Sequence, residues 1–144
     1  EYAVNGIDFN GGQGTVAHSL LRFNTNGVFV RAKSNPTIHQ GNQISHNDYG
    51  IYVHGNSVAA NNPLPVTNGN SLFSNASYNF YTRGFVTPKP TLDATGNWWG
   101  IATEAGIAST IYTAGSTSTA VDTTGFLSSE PIPQAMLLTG FSMS

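Results

Sequence analysis

Short hydrophobic runs alternate with polar residues along this chain, and the same succession of runs returns several times. Residues 37–55 (TIHQGNQISHNDYGIYVHG) place Ile, Tyr and Val among Asn, Gly and His, at intervals that fit neither a helix nor one long strand. Residues 65–84 repeat this succession at an offset of 28. The matched pairs are Ile38 with Val66, Gly41 with Gly69, Asn42 with Asn70, Ile44 with Leu72 and Asn47 with Asn75. A period of roughly 20 to 30 residues predicts a repeat protein.

Further copies of the pattern lie on both sides of these two. Residues 15–32 match it at an offset of 22 to 23, with Leu21 in the place of Ile44. Residues 6–9 (GIDF) repeat the last hydrophobic run, and residues 91–99 (TLDATGNWW) restart the first half. The downstream matches are Leu92 with Ile38, Asn97 with Asn42 and Trp99 with Ile44.

The repeated unit has the signature of β-structure. Its runs, such as residues 28–30 and 51–53, alternate like strands and are bounded by Gly or Asn, whereas helix caps and 3.6-residue stripes are missing. Two or three short strands cannot bury an apolar face alone, but coiling the chain stacks each apolar residue on its equivalent. The sequence therefore predicts an all-β parallel β-helix of about four coils. Its expected core residues include Ile38, Ile44, Ile51 and Val53.

Asparagine recurs at two positions of the predicted coil. Because neighbouring coils lie roughly 4.8 Å apart, aligned amide side chains can form hydrogen bonds from coil to coil. We expect two such ladders, one of Asn42, Asn70 and Asn97 and the other of Asn24, Asn47 and Asn75.

The segments GNQISHNDYGIYVHG, HSLLRFNTNGVFV and DATGNWWG resemble the right-handed parallel β-helix repeats of the pectate-lyase-like superfamily. The likeness covers about residues 4 to 100, and the last segment is similar to a terminal coil of secreted members. It implies a right-handed helix, while the superfamily includes lyases, hydrolases, epimerases, adhesins and noncatalytic surface proteins. For enzymes, it implies calcium held by outward carboxylates with an Arg or Lys base, or clustered Asp pairs.

The chain divides into coils at residues 1–100 and a C-terminal cap or extension at residues 101–144, where Ala, Ser and Thr become frequent. We expect Trp99 to plug the last coil and Trp98 to lie under the apolar tail, residues 134–144. No comparable cap precedes Tyr2. Either the chain continues a longer protein, or another subunit completes its first coil; a head-to-tail homo-oligomer is one outcome.

Composition narrows the possible partners. Only 8% of residues are charged and the net charge is −2, which disfavours nucleic-acid binding. No apolar stretch approaches 18 residues, so membrane insertion is not expected. The absence of cysteine excludes disulfides and thiolate metal sites. Few charges with abundant Asn, Thr, Ser and Gly favour an extracellular or cell-surface protein.

Strand alternation predicts which side chains leave the core. If Ile7, Val28, Ile51 and Phe80 point inward, two outward columns follow. These columns are Asp8, Phe29, Tyr52 and Tyr81, and Asn10, Arg31, His54 and Arg83. Aromatic rings stack on sugars, and Arg or His donates to hydroxyls and carboxylates. The glycan-binding candidates are Phe29, Arg31, Tyr52, His54, Tyr81 and Arg83. The alternatives are cross-strand stacking that only stabilises the sheet, and a protein interface.

Catalytic and metal-binding groups are sparse. Of Asp8, Asp48, Asp93 and Asp122, only Asp8 falls in an outward column, and no pair of acids is expected. The histidines at 39, 46 and 54 fall on different edges of the coil, so we expect no metal site, with calcium as the alternative cofactor. The sequence thus predicts a noncatalytic structural or glycan-binding module. The alternative is the C-terminal part of a polysaccharide lyase or glycoside hydrolase with its catalytic coils upstream.

Overall fold

The computed structural model describes residues 3–131, which form thirteen short strands and one short helix. In chain order these are β1 (Ala3–Asn10), β2 (Thr15–Val16), β3 (Leu20–Leu21), β4 (Asn24–Arg31), β5 (Thr37–Ile38), β6 (Gln43–Ser45), β7 (Tyr49–His54), β8 (Val66–Thr67), β9 (Ser71–Phe73), β10 (Tyr78–Arg83), β11 (Leu92–Asp93), α1 (Glu104–Ser109), β12 (Ile111–Tyr112) and β13 (Val121–Asp122). A single 3₁₀ turn, Ala59–Asn61, lies between β7 and β8.

The strands form three parallel sheets whose neighbours come from successive coils. Sheet A has the order β1-β4-β7-β10-β12, sheet B the order β13-β11-β8-β5-β2, and sheet C the order β3-β6-β9. Each coil therefore visits sheets B, C and A in turn before the next coil begins. This arrangement confirms the predicted all-β parallel solenoid of about four turns.

Columns of apolar side chains fill the interior. On sheet A, Ile7, Val28, Ile51 and Phe80 are successive register partners, and the last three are fully buried. The predicted core residues Ile38, Ile44, Ile51 and Val53 are all buried, as is Trp99. Burial of each such side chain contributes about 1.5–3 kcal/mol. Since no coil could bury these residues alone, the stacking of coils is what stabilises the fold.

The first asparagine column lies in the turn between sheets B and C. Nδ2 of Asn42 donates to Oδ1 of Asn70 at 2.8 Å, and Nδ2 of Asn70 donates to Oδ1 of Asn97 at 3.0 Å. All three asparagines are buried. A glycine with φ between +65° and +73° precedes each of them, because the turn needs the left-handed conformation.

A second asparagine column lies in the turn between sheets C and A. Nδ2 of Asn24 donates to Asn47, and Nδ2 of Asn47 donates to Asn75, each at 3.1 Å. The backbone N–H groups of Asn24 and Asn47 donate to the same amide oxygens. The column thus satisfies backbone donors that a tight turn would otherwise leave unpaired.

The register of sheet B corrects one part of the predicted repeat. Ile38 pairs with Thr67, and Val66 pairs with Thr37, so the expected match of Ile38 with Val66 is wrong by one residue. Thr67 is fully buried, while Val66 is 36% exposed. Threonine is small enough to take an inward position. The sequence-based match missed Thr67 because it placed the more hydrophobic Val66 inward. Thr67 stands three residues before Asn70, whereas Ile38 stands four residues before Asn42, so the turn after β8 is one residue shorter than the turn after β5.

The expected match of Leu92 with Ile38 is wrong for the same reason. Asp93 pairs with Val66, which places the next residue, Ala94, in line with Thr67. Ala94 is fully buried, as an inward position requires, and Leu92 lies two residues earlier in the same inward row.

The chain after Gly100 adds α1 and two further strands, β12 on sheet A and β13 on sheet B. The helix begins where the Thr103 hydroxyl accepts a hydrogen bond from the N–H of Gly106. Among residues 3–131, no helix is long and apolar enough to cross a membrane. The predicted apolar tail, residues 134–144, lies outside the described residues, as does Tyr2.

Candidate functional site

The first outward column of sheet A follows the predicted register. Asp8 pairs with Phe29, Phe29 with Tyr52, and Tyr52 with Tyr81. The structure extends this column by one more residue, Tyr112, which pairs with Tyr81. Parallel strands place these side chains directly above one another on the solvent face of the sheet.

The rings of this column are in continuous contact. The centroid distance is 4.9 Å for each of the three steps from Phe29 to Tyr52, Tyr81 and Tyr112. Tyr81 and Tyr112 are stacked with an interplanar angle of 25°, and Tyr52 meets Tyr81 edge to face. These are favourable aromatic geometries, and all four rings stay partly exposed.

A second aromatic column, which the sequence did not predict, stands beside the first. Tyr49 and Tyr78 are register partners, and their rings lie 4.8 Å from Tyr81 and 5.3 Å from Tyr112, respectively. Simple alternation hides them, because each stands three residues before an outward Tyr rather than two. Two consecutive buried residues follow each of them, Gly50 with Ile51 and Asn79 with Phe80, and this interrupts the alternation. A Cβ at Gly50 would lie 2.5 Å from the carbonyl oxygen of Asn79, so the neighbouring coil approaches closely there.

We call this six-ring surface the aromatic face; its members are Phe29, Tyr49, Tyr52, Tyr78, Tyr81 and Tyr112. It holds five of the chain's six tyrosines. Their concentration on one face of sheet A leaves sheets B and C without a comparable surface among residues 3–131. The face runs parallel to the solenoid axis, since each coil contributes its rings at the same position.

The predicted basic column borders the aromatic face, but its members differ in how many of their donor groups already have partners within the protein. Arg31 makes two hydrogen bonds to the Asp8 carboxylate, at 2.9 and 3.2 Å, and lies over the ring of Phe29. His54 donates from Nδ1 to the Gly55 carbonyl, which leaves Nε2 for another partner. Arg83 is exposed and pairs in register with His54. The cationic end of the face is therefore at Arg83.

Burial controls the protonation of the central ring. Burial raises the pKa of Tyr52 above its ordinary value, and the neighbouring Tyr81 raises it further, while Arg83 lowers it in part. A tyrosine is uncharged near neutral pH even at its ordinary pKa, and the raised pKa of Tyr52 keeps its phenol uncharged at more alkaline pH. A neutral hydroxyl can both donate and accept a hydrogen bond, which suits a ligand rich in hydroxyl groups.

Sheet B carries an acid pair that the sequence did not reveal. Asp93 and Asp122 are register partners on neighbouring coils, so the expectation of no paired acids is wrong. The signal was present in the similar segments DATG and DTTG. Each carboxylate accepts the N–H of the Thr two residues later, and this hydrogen bond lowers the pKa of Asp122. The two carboxylates thus cap the turns that follow β11 and β13.

The histidines at 39, 46 and 54 are not brought together. His39 follows β5, His46 occupies a left-handed turn with φ of 57°, and His54 ends β7. Within the described part of the chain, no group of three or more His, Cys, Asp or Glu side chains has a geometry that could hold a metal ion.

No protein-family model matches this chain, and comparisons with curated proteins and with solved structures gave no significant match. The class of protein is therefore defined by the structure alone: a parallel β-solenoid with one aromatic sheet face. Membership of the pectate-lyase-like superfamily remains a prediction.

Proposed function

We propose that this protein is a noncatalytic binding module that holds an extended glycan against the aromatic face of sheet A. The observation that carries the proposal is the unbroken run of rings at 4.9 Å spacing from Phe29 to Tyr112. A flat, rigid and partly exposed aromatic surface offers stacking area to the C–H faces of sugar rings at low entropic cost. A row of such rings suits a long chain better than a compact ligand.

The rim of the face supports the same ligand class. The Tyr hydroxyls donate to and accept from sugar hydroxyls, and Arg83 with Nε2 of His54 adds groups that interact with hydroxyls or carboxylates. Arg31 contributes less charge, because Asp8 neutralises it at 2.9 Å. We therefore place an acidic sugar, where the glycan has one, at the Arg83 end. Glycans of this kind lie outside cells, which agrees with the proposed extracellular or cell-surface location.

Stacking of the rings on one another also stabilises sheet A, and that alone would account for the tyrosines. The two roles are separable by experiment. Truncating Tyr52, the centre of the face, should abolish a ligand surface but cost the fold only part of its stability.

The test is retention of the purified protein on immobilised pectin, alginate and xylan, with Tyr52→Ala as the variant. Val66→Ala is the control, because Val66 is an outward, partly exposed residue of sheet B. We expect the wild type and the control to be retained on at least one polymer and Tyr52→Ala to elute early, with unchanged circular dichroism. Failure of the wild type to bind any of the polymers would contradict the proposal.

A further inference from the structure

The tyrosines of the aromatic face form one connected cluster around Tyr81. Its ring centroid lies 4.8 Å from that of Tyr49, 4.9 Å from that of Tyr52 and 4.9 Å from that of Tyr112. Tyr78 is 5.8 Å away. All five rings are partly exposed. An oxidant that removes an electron from one of these rings therefore leaves a radical in contact with a second phenol.

Tyr81 and Tyr112 have the most parallel rings of the cluster. They are register partners on β10 and β12, so their side chains leave the sheet in the same direction. Their ring planes are inclined by 25°, whereas those of Tyr52 and Tyr81 are inclined by 84°. The two phenols are thus stacked in the same orientation, with the carbon ortho to one hydroxyl beside the matching carbon of the other. Two phenoxyl radicals couple at these carbons, because unpaired spin is concentrated there.

Few other side chains compete for an oxidant. The chain has no cysteine, and both methionines, Met136 and Met143, lie outside the described residues. Sulfur-containing side chains are common targets of protein oxidation. Of the two tryptophans, Trp99 is only 1% exposed. Within residues 3–131, one-electron oxidation is therefore expected mainly at the aromatic face and at the partly exposed Trp98.

Tyr112 lies in the shortest strand of sheet A. β12 pairs with β10 at two positions, Phe80 with Ile111 and Tyr81 with Tyr112. Since the chain has no cysteine, no disulfide can fasten this strand. A covalent bond between residues far apart in sequence stabilises a fold by restricting the unfolded chain. A bond from Tyr81 to Tyr112 would fasten the strand that follows α1 to the coil before it.

We propose that Tyr81 and Tyr112 form an oxidative modification site, at which a peroxidase acting with hydrogen peroxide joins them as an intramolecular dityrosine. Each phenol loses one electron and one proton to the oxidant, and the two radicals form a carbon–carbon bond between their ortho carbons. The hydrogen on each of those carbons then moves to the phenolic oxygen, so both hydroxyl groups are restored. One peroxide molecule is reduced to two molecules of water, and the protein loses two hydrogen atoms. The site does not depend on the function proposed for the aromatic face, because this reaction needs no glycan.

Trypsin separates the two partners of the proposed bond. Residues 34–83 contain the other four tyrosines of the face, and Arg83 is their only Lys or Arg. Residues 84–144 contain Tyr112 as their only tyrosine, and their one basic residue, Lys89, is followed by proline and is not cleaved. A dityrosine that joins these two peptides therefore includes Tyr112.

The experiment is oxidation of the dilute full chain by a peroxidase with hydrogen peroxide, followed by trypsin and mass spectrometry. We expect a monomeric product with dityrosine fluorescence, in which peptides 34–83 and 84–144 are joined with the loss of two hydrogen atoms. Tyr81→Phe and Tyr112→Phe keep the stacked rings but remove one phenol, so each should lose the joined peptide. Tyr49→Phe is the matched control, because it leaves the proposed pair intact, and it should form the joined peptide as the wild type does.

The proposal is overturned if the oxidised wild type contains no joined peptide, or if Tyr81→Phe forms as much of it as the wild type. A joined peptide found only in dimers would also overturn it, since the bond would then not form within one chain. Thermal unfolding gives an independent readout. The oxidised wild type should melt at a higher temperature than the oxidised Tyr112→Phe protein, because the bond closes the loop between residues 81 and 112. Equal melting temperatures would contradict the fastening of β12.

Discussion

Asn70 joins three coils through one side chain. Its Nδ2 group lies 2.8 Å from the carbonyl oxygen of Ile38 and 3.0 Å from Oδ1 of Asn97, while its own Oδ1 accepts from Asn42 at 2.8 Å. The residue is fully buried, so none of these groups would find water if the amide were removed. At the residue scale, buried amides as well as apolar columns therefore join neighbouring coils.

Asn70→Leu should lower the free energy of unfolding by about 1–3 kcal/mol, because the buried partners of the amide lose their hydrogen bonds. Chemical denaturation measures this change. Asn10→Leu is the control, since Asn10 is exposed and its side chain makes no hydrogen bond within residues 3–131. An unchanged denaturation midpoint for Asn70→Leu would contradict the stabilising role that we assign to the asparagine column.

The pH dependence of stability should report the environment of Tyr52. Burial raises its folded-state pKa above 10.0, so the folded state keeps the proton after the unfolded state has lost it. This contribution to stability is complete below the unfolded pKa of about 10 and is lost as the pH rises through the folded pKa. Tyr52→Phe should therefore lose less stability than the wild type between about pH 9 and pH 11. Equal losses in urea titrations would contradict the burial effect.

At the scale of elements, sheet B shows how the coils accept a polar residue in the core. Thr67 lies in the inward row with Ile38 and Ala94. It is fully buried, and within the described chain its hydroxyl has no hydrogen-bond partner. Such an unsatisfied group costs stability, which valine, with the same shape, would not.

Thr67→Val should raise the free energy of unfolding by about 1 kcal/mol. The result also tests the register of β8, because in the register predicted from the sequence Val66 would be inward and Thr67 outward. An outward Thr67→Val substitution would change stability by no more than about 0.5 kcal/mol. Thr37→Val, at an outward position of β5, is the matched control. A neutral Thr67 variant would contradict the observed register.

The sequence predicted the elements that repeat closely and missed those that deviate. The pairing of Tyr52 with Tyr81 follows from the alternation around Ile51 and Phe80, so the first aromatic column was predictable. Tyr49 and Tyr78 were missed because two consecutive buried residues follow each of them, which interrupts the alternation on which the prediction relied.

At the scale of the whole molecule, β1 is an edge strand of sheet A among residues 3–131, and its Val4 is 68% exposed. One alternative that the sequence leaves open is a head-to-tail contact of such an edge with the apolar segment 134–144, which lies outside the described residues. Removing residues 134–144 should then reduce the particle size in light scattering. Replacing Leu137 and Leu138 with Ser is the control of equal length and should act like the deletion. A full-length protein that is already a compact monomer would contradict this prediction.

The central claim, that the aromatic face binds an extended glycan, places five of six tyrosines at one site. The most direct test is NMR of the protein with ¹³C-labelled tyrosine rings, titrated with an oligosaccharide from a polymer that retains the wild type. We predict that the ring signals of Tyr49, Tyr52, Tyr78, Tyr81 and Tyr112 shift together with one affinity. Tyrosine signals that stay unchanged while the oligosaccharide binds would contradict the claim.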